Sequence, residues 1–118
     1  IISVWKPRNH PVEDCSLAIC DASTVQHDKC IHGDFMITPD YISQTNYAAP
    51  CKEQVWYWVS NQQPNEALLF KQHDTDESSN TPNLLLDCPH TAFWKDGPRS
   101  CSRPRQSIEV RVLVVFDK

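Results

Sequence analysis

Three short strings hold residue types suited to shared chemistry. His32-Gly33-Asp34 is an H-x-D string. With the distant His90 as a third ligand, it has the make-up of the two-histidine, one-carboxylate face that holds non-haem Fe(II). Arg105-Gln106-Ser107 is an R-x-S string further along. A guanidinium fork suits the carboxylate of a co-substrate, and a serine hydroxyl adds a second donor. H-x-D is a common string, so an ordinary exposed turn at His32–Asp34 stands beside the iron reading.

Other combinations deserve the same weighing. Cys88-Pro89-His90 places a thiol two residues from an imidazole. An extended Pro89 would put both on one face, as in a thiol–imidazole nucleophile pair; a disulfide at Cys88 is the competing reading. Glu66, His90 and Arg105 are the residue types of a fungal ribonuclease site, but their spacing is not diagnostic. Lys95, Arg99, Arg103 and Arg105 cluster in one segment. That segment is either a phosphate- or membrane-attracting patch or a solvated loop. Trp56 and Trp58 are either a stacking pair for a sugar or membrane, or core packing.

The six cysteines, Cys15, Cys20, Cys30, Cys51, Cys88 and Cys101, are an even set. No two have C-x-x-C spacing, which argues against a zinc knuckle or a thioredoxin-like motif. The expectation is two or three disulfides and a secreted protein; reduced, buried thiols are the alternative. Six cysteines allow fifteen pairings, and spacing does not choose among them.

The elements that must position these residues read as strands. Ile1–Trp5 is a short apolar run stopped by Pro7. A second apolar run, Leu17–Ala22, is too short and too poorly capped for a helix. Residues 23–33 read as a loop, and Phe35–Ile37 as a brief strand ended by Pro39. Val55–Val59 is a β-branched and aromatic strand, with Trp56 and Trp58 on one face and Tyr57 on the other. Ser60–Asn65 reads as a turn and Ala67–Gln72 as the returning strand, so residues 55–72 form a predicted hairpin. Residues 74–83 read as an acidic loop. Leu84–Leu86 and Thr91–Trp94 flank Pro89 as strand fragments. In Ser107–Phe116, Ile108, Val110, Val112 and Val114 alternate with Glu109, Arg111, Leu113 and Val115. Its polar start and apolar end predict a strand running from an open site into a core. No sustained 3.6-residue period appears.

The chain has 118 residues and reads as one β domain spanning 1–118. Its formal net charge is −4, which weighs against a nucleic-acid partner or an anionic membrane. No apolar run is long enough for a transmembrane segment. The first residue is Ile1 rather than Met, so either a leader has been removed or the chain is a piece of a longer one.

Several blocks together make the sequence familiar. VWKP, PVEDCSLAICDASTV, WYWVSNQQPNEALLFKQHDTD, PHTAFW and PRQSIEVRVLV resemble, in that order, the C-terminal half of a fungal oxygenase family. Its members are gibberellin-desaturase-like or cephamycin-methoxylase-like. The resemblance covers about Val4 to Phe116. It implies an Fe(II)/2-oxoglutarate chemistry on a double-stranded β-helix. His90 matches the distal iron-binding histidine. Arg105 and Ser107 match the 2-oxoglutarate-binding R-x-S, and Asp74 and Asp76 match an acidic block. The family's own H-x-D precedes the VWKP block, so His32 and Asp34 fall at the wrong place in its order.

The expected fold is therefore mostly β: a partial jelly roll, half of a double-stranded β-helix, or a repacked β-sandwich with long, disulfide-stapled loops. One histidine cannot hold Fe(II), which needs three protein ligands. The leading functional expectation is thus a small, disulfide-stabilised, non-catalytic fungal protein. It would act by binding an unknown target, with a defence, antifungal or cytotoxic role and no cofactor. A homodimer would cover its open sheet. The alternative is an Fe(II)/2-oxoglutarate-dependent oxygenase of secondary metabolism, cytoplasmic if the chain is a piece of the intact enzyme.

Overall fold

The computed structural model describes residues 1–74, 87–95 and 103–115. Eight strands account for most of the regular structure: β1 (Ile2–Pro7), β2 (Cys15–Cys20), β3 (Ile31–Thr38), β4 (Tyr41–Ala48), β5 (Trp56–Trp58), β6 (Leu68–Lys71), β7 (His90–Trp94) and β8 (Ser107–Val112). A 3-10 turn (Ala22–Thr24) and a four-residue helix, α1 (His27–Cys30), lie between β2 and β3.

The strands form two three-stranded sheets and a two-stranded hairpin. One sheet has the order β6-β1-β8 and the other β5-β2-β7, all antiparallel. The sheets face each other across an apolar cluster of Trp5, Val12, Leu17 and Phe70, with Ile19, Leu68 and Cys88 against it. Strand alternation explains who faces inward. Ser3, Trp5 and Pro7 are the buried positions of β1. Their partners across the pair with β8 are Arg111, Glu109 and Ser107.

That register overturns one expectation. The alternation of β8 holds, but its polar residues face the space between the sheets. Ile108 (47% exposed), Val110 (52%) and Val112 (41%) lie on the outer face. The strand ends at Val112, and Leu113–Val115 are exposed rather than running into a core. The expected 55–72 hairpin is also corrected. Here β5 pairs with β2 and β6 with β1, so the segment between them crosses from one sheet to the other. Its conformation is set by one tertiary bond, Val12 N–H donating to Gln62 O, and one local bond, in which Glu66 Oε2 accepts the Gln63 N–H. Asn61 adopts a positive φ of 52°, a conformation that asparagine tolerates.

Two further readings are revised. Residues 23–33 are not simply a loop, since they hold α1 and the start of β3. The brief strand at Phe35–Ile37 is the middle of an eight-residue strand in a hairpin with β4, turning at Pro39-Asp40. β4 escaped notice because its side chains are exposed on both faces, so no burial pattern marks it. The apolar run at Leu17–Ala22 resolves as strand β2, central in its sheet. The Leu84–Leu86 fragment, Asp76, Arg99, Cys101 and Phe116 lie outside the described residues.

Cysteine pairing is narrower than expected. Among the described residues the one disulfide is Cys30–Cys51, and Cys15, Cys20 and Cys88 are free thiols. The bridge ties the two ends of the β3–β4 hairpin, where Ala49 N–H also donates to Cys30 O. Its loop entropy corresponds to about 3 kcal/mol. Cys30→Ser is expected to lower unfolding free energy by that order in denaturant titration. Alkylation of the unfolded, unreduced protein should label Cys15, Cys20 and Cys88 but neither Cys30 nor Cys51.

Candidate functional site

At one end of the two sheets His90 opens β7, with its side chain on the inner face. Two observations establish the facing: His90 pairs with Ile19 across the β2–β7 ladder, and its ring lies 4.6 Å from that of buried Phe70. The imidazole is held from both nitrogens. Nδ1 lies 3.0 Å from Cys88 O, and a carbonyl only accepts, so Nδ1 carries the proton. Nε2 therefore presents a lone pair, which faces Gln72 Nε2 at 3.4 Å. The same amide nitrogen donates to Ser3 Oγ at 3.0 Å, and Ser3 Oγ donates to Glu109 Oε1 at 2.7 Å. A chain of polar contacts thus runs from β8 through β1 to β7, ending on the imidazole. Ser3 is fully buried, so each of its bonds acts where water does not compete.

His90 and Gln72 border a cavity of about 850 Å³. Tyr47 and Ala48 of β4, Trp56, Asp87 and Arg111 also line it. Asp87 accepts from Asn46 Nδ2 at 3.4 Å and lies 3.6 Å from His73 Nδ1, which ties the hairpin to the segment entering β7.

The other residues singled out in the sequence are dispersed. His32 and Asp34 sit exposed on β3, opposite Tyr47 and Thr45, and do not line the cavity. The His32–Asp34–His90 iron set is therefore not assembled: the hairpin meets the cavity through Ile31 and β4, and leaves His32 and Asp34 exposed outside it. Among the described residues no group of three His, Cys, Asp or Glu is placed to hold a metal ion. For Fe(II) these residues offer one oriented imidazole nitrogen, short of the three protein ligands that the ion needs.

Arg105 lies towards the opposite end of β8. Its Nη1 donates to Cys15 O at 2.7 Å, and its guanidinium stands 5.5 Å over the Trp5 ring. Its backbone N–H donates to Asp14 Oδ1. Ser107 is half-buried opposite Pro7, on the same inner face. Asp74 pairs with Lys71 at 3.2 Å. Glu66 braces its own loop, and neither it nor Arg105 lines the His90 cavity, so the ribonuclease-like trio is not brought together. Lys95 and Arg103 are exposed. Trp56 is half-buried, whereas Trp58 is exposed and meets Phe93 edge-on, so that strand face is only partly core.

Cys88 is not an activated nucleophile. Its thiol donates to Cys20 O at 3.3 Å rather than to His90. Burial, with smaller contributions from Cys20 and Asp21, pushes its pKa up to about 11. The buried Cys20 thiol is raised for the same first reason. Sequence reading missed Gln72 and Arg111. The alternation of β8 already placed Arg111 with Glu109, but nothing local said that this face turns inward.

Two antiparallel three-stranded sheets with polar groups converging between them define a partial jelly-roll protein. The chain matches the model of the oxidoreductase/YMDC permease-like domain over residues 1–115, and it belongs to that family. It is similar to the hydroxylase/desaturase asaB of Aspergillus flavus, with 31% identity over 99% of this chain and 55% of the relative. It is similar to the hydroxylase/desaturase efuI of Hormonema carpetanum, with 33% identity over 99% of this chain and 41% of the relative. The Fe(II)/2-oxoglutarate-dependent dioxygenase nvfI of Aspergillus novofumigatus is 29% identical over 95% of this chain and 39% of its own length. Among solved structures, the iron and alpha-ketoglutarate-dependent endoperoxidase NvfI, determined as a variant, superposes with a TM-score of 0.74 at 27% identity. That match covers 92% of this chain and 39% of the other. The chain spans about half, or less, of the length of these relatives. No helix among the described residues is long and apolar enough to cross a membrane.

Two measurements check the site. Nitrogen-15 NMR of the imidazole at neutral pH should give the Nδ1–H tautomer for His90. In Gln72→Ala the Nε2 resonance should move while Nδ1 stays; an Nε2–H tautomer would contradict the geometry. Cys88 should alkylate slowly at pH 7 to 9, its rate climbing only as the pH nears 11, because the neutral thiol predominates below its raised pKa.

Proposed function

We propose that this chain is the C-terminal half of the catalytic domain of a fungal Fe(II)/2-oxoglutarate-dependent oxygenase of secondary metabolism. The observation that carries the reading is His90. Its imidazole borders a cavity, with Nδ1 held by Cys88 O and Nε2 facing Gln72, in a chain whose relatives include an Fe(II)/2-oxoglutarate-dependent dioxygenase and an aspirochlorine biosynthesis protein. In this reading His90 is one iron ligand, and the other two come from outside the described residues. Bound iron would supply the oxidising chemistry. The work of this half is to hold the imidazole in one tautomer and to wall the chamber. Arg105 and Ser107 take the far carboxylate of 2-oxoglutarate, on the strength of their match to the family's R-x-S. Taking it would require the Arg105 guanidinium to exchange its Cys15 contact for the ligand. The finer kinship, gibberellin-desaturase-like or cephamycin-methoxylase-like, rests on the order of the sequence blocks.

This replaces the leading expectation from the sequence. A non-catalytic binding protein with a defence, antifungal or cytotoxic role has no counterpart among the relatives described, whereas the oxygenase alternative does. The test is anaerobic titration of the complete protein with Fe(II) and 2-oxoglutarate, following the metal-to-ligand charge-transfer band. The band should appear in the wild type and vanish in His90→Ala. Arg105→Gln should need about tenfold or more 2-oxoglutarate to reach half of the signal, the cost of losing a charge-assisted bond. No band in the folded wild type would remove the oxygenase reading.

A further inference from the structure

Among the described residues, the lining of the cavity beside His90 has one permanently cationic side chain, Arg111. Arg111 stands opposite Ser3 on the inner face of β8. Its Nε lies 3.5 Å from Glu109 Oε1, the carboxylate oxygen that also accepts the Ser3 hydroxyl. The guanidinium is thus steadied along one edge by an anchored acid. Its terminal nitrogens make no hydrogen bond among the described residues, and 67% of the side chain is exposed at the cavity mouth. Arg105 is arranged differently: a terminal nitrogen is committed to Cys15 O and its plane lies over Trp5.

The rest of the lining constrains what Arg111 would meet. Tyr47 and Trp56 offer aromatic wall, and Gln54 and Asn46 offer amides. Among the described residues of the lining Asp87 is the one carboxylate, so an anion is repelled there and drawn to Arg111. A cavity of about 850 Å³ accommodates an organic molecule of several fused rings. A guanidinium with an open fork recognises a carboxylate or enolate through two parallel bonds.

We propose that Arg111 is a specificity-determining residue, which holds an anionic oxygen of an unsaturated organic acid whose body lies against Tyr47 and Trp56. This assignment rests on reading the cavity as the substrate chamber of an oxygenase. Glu109 takes the part of a positioning residue, acting through Arg111.

The test uses the complete, metal-free protein and two probes of one shape, 2-naphthoate and neutral 2-naphthamide, followed by tryptophan fluorescence. Naphthoate is expected to bind about tenfold more tightly, as one charge-assisted contact would provide. Arg111→Gln should bring the two affinities together, and Lys52→Gln, at an exposed cation outside the lining, should leave the preference in place. Glu109→Gln is the second variant: with the opposing charge removed, naphthoate should tighten and naphthamide should not. Equal affinities in the wild type, a preference that survives Arg111→Gln, or no response to Glu109→Gln would each overturn the proposal. Displacement of naphthoate by excess 2-oxoglutarate would also overturn it, by giving Arg111 to the co-substrate. Because iron is left out, these results speak to Arg111 alone, and the charge-transfer experiment speaks separately to the oxygenase reading.

Discussion

The packing of Trp5 and Phe70 from one sheet against Leu17 from the other is the contact on which the candidate site depends. Antiparallel pairing would build each sheet by itself. Burial of these side chains draws the inner faces together, at roughly 2–3 kcal/mol for each large side chain removed from water. Once the sheets face each other, β1 sets the register of both its neighbours. Ser3 lies opposite Phe70 on one side and Arg111 on the other. Polar residues on β8 are thereby carried into the same space as the start of β7, and Gln72, just past β6, reaches both Ser3 and His90.

That arrangement gives the interior two different ends. Towards Arg105 it is closed by Trp5, Pro7 and the Cys15 carbonyl. Towards His90 it opens into a wide cavity, bordered by the hairpin that the Cys30–Cys51 bridge ties at its base. A buried polar chain is costly unless each member is satisfied, and here Ser3 both donates and accepts. The imidazole at its end is held from both nitrogens and borders the open end. The outer face of β8 shows the reverse distribution, with apolar residues towards solvent. With polar residues turned inward, the space between the sheets holds a cavity beside the apolar core.

Much of this was legible in the residues. The strands expected at Ile1–Trp5, Thr91–Trp94 and Ser107–Phe116 announced themselves through β-branched and aromatic runs bounded by proline, although β8 ends at Val112. His90 was identified through its block of sequence. The pairing of β5 and β6 was misread because a polar turn between two apolar runs is the local signature of a hairpin. Nothing local reports that each strand has a better partner elsewhere, in β2 or β1. The cysteines misled for a related reason. Their even number fits a staple, but pairing requires two Cβ atoms to meet, and only Cys30 and Cys51 do so among the described residues.

The amino-acid sequence by itself determined the β character of the chain, the alternation along β8, and the family blocks that single out His90, Arg105 and Ser107. These are properties of neighbours along the backbone, where a period of two and the residue types suffice. The tertiary structure alone decided which face of β8 turns inward, that Gln72 meets His90, that Arg111 rather than Arg105 borders the cavity, and that His32 and Asp34 stay outside it. Those outcomes depend on pairings such as that of Ser3 with Arg111, residues more than a hundred positions apart. Such pairings are chosen by the burial of Trp5, Leu17 and Phe70, a cooperative contact that no single segment encodes.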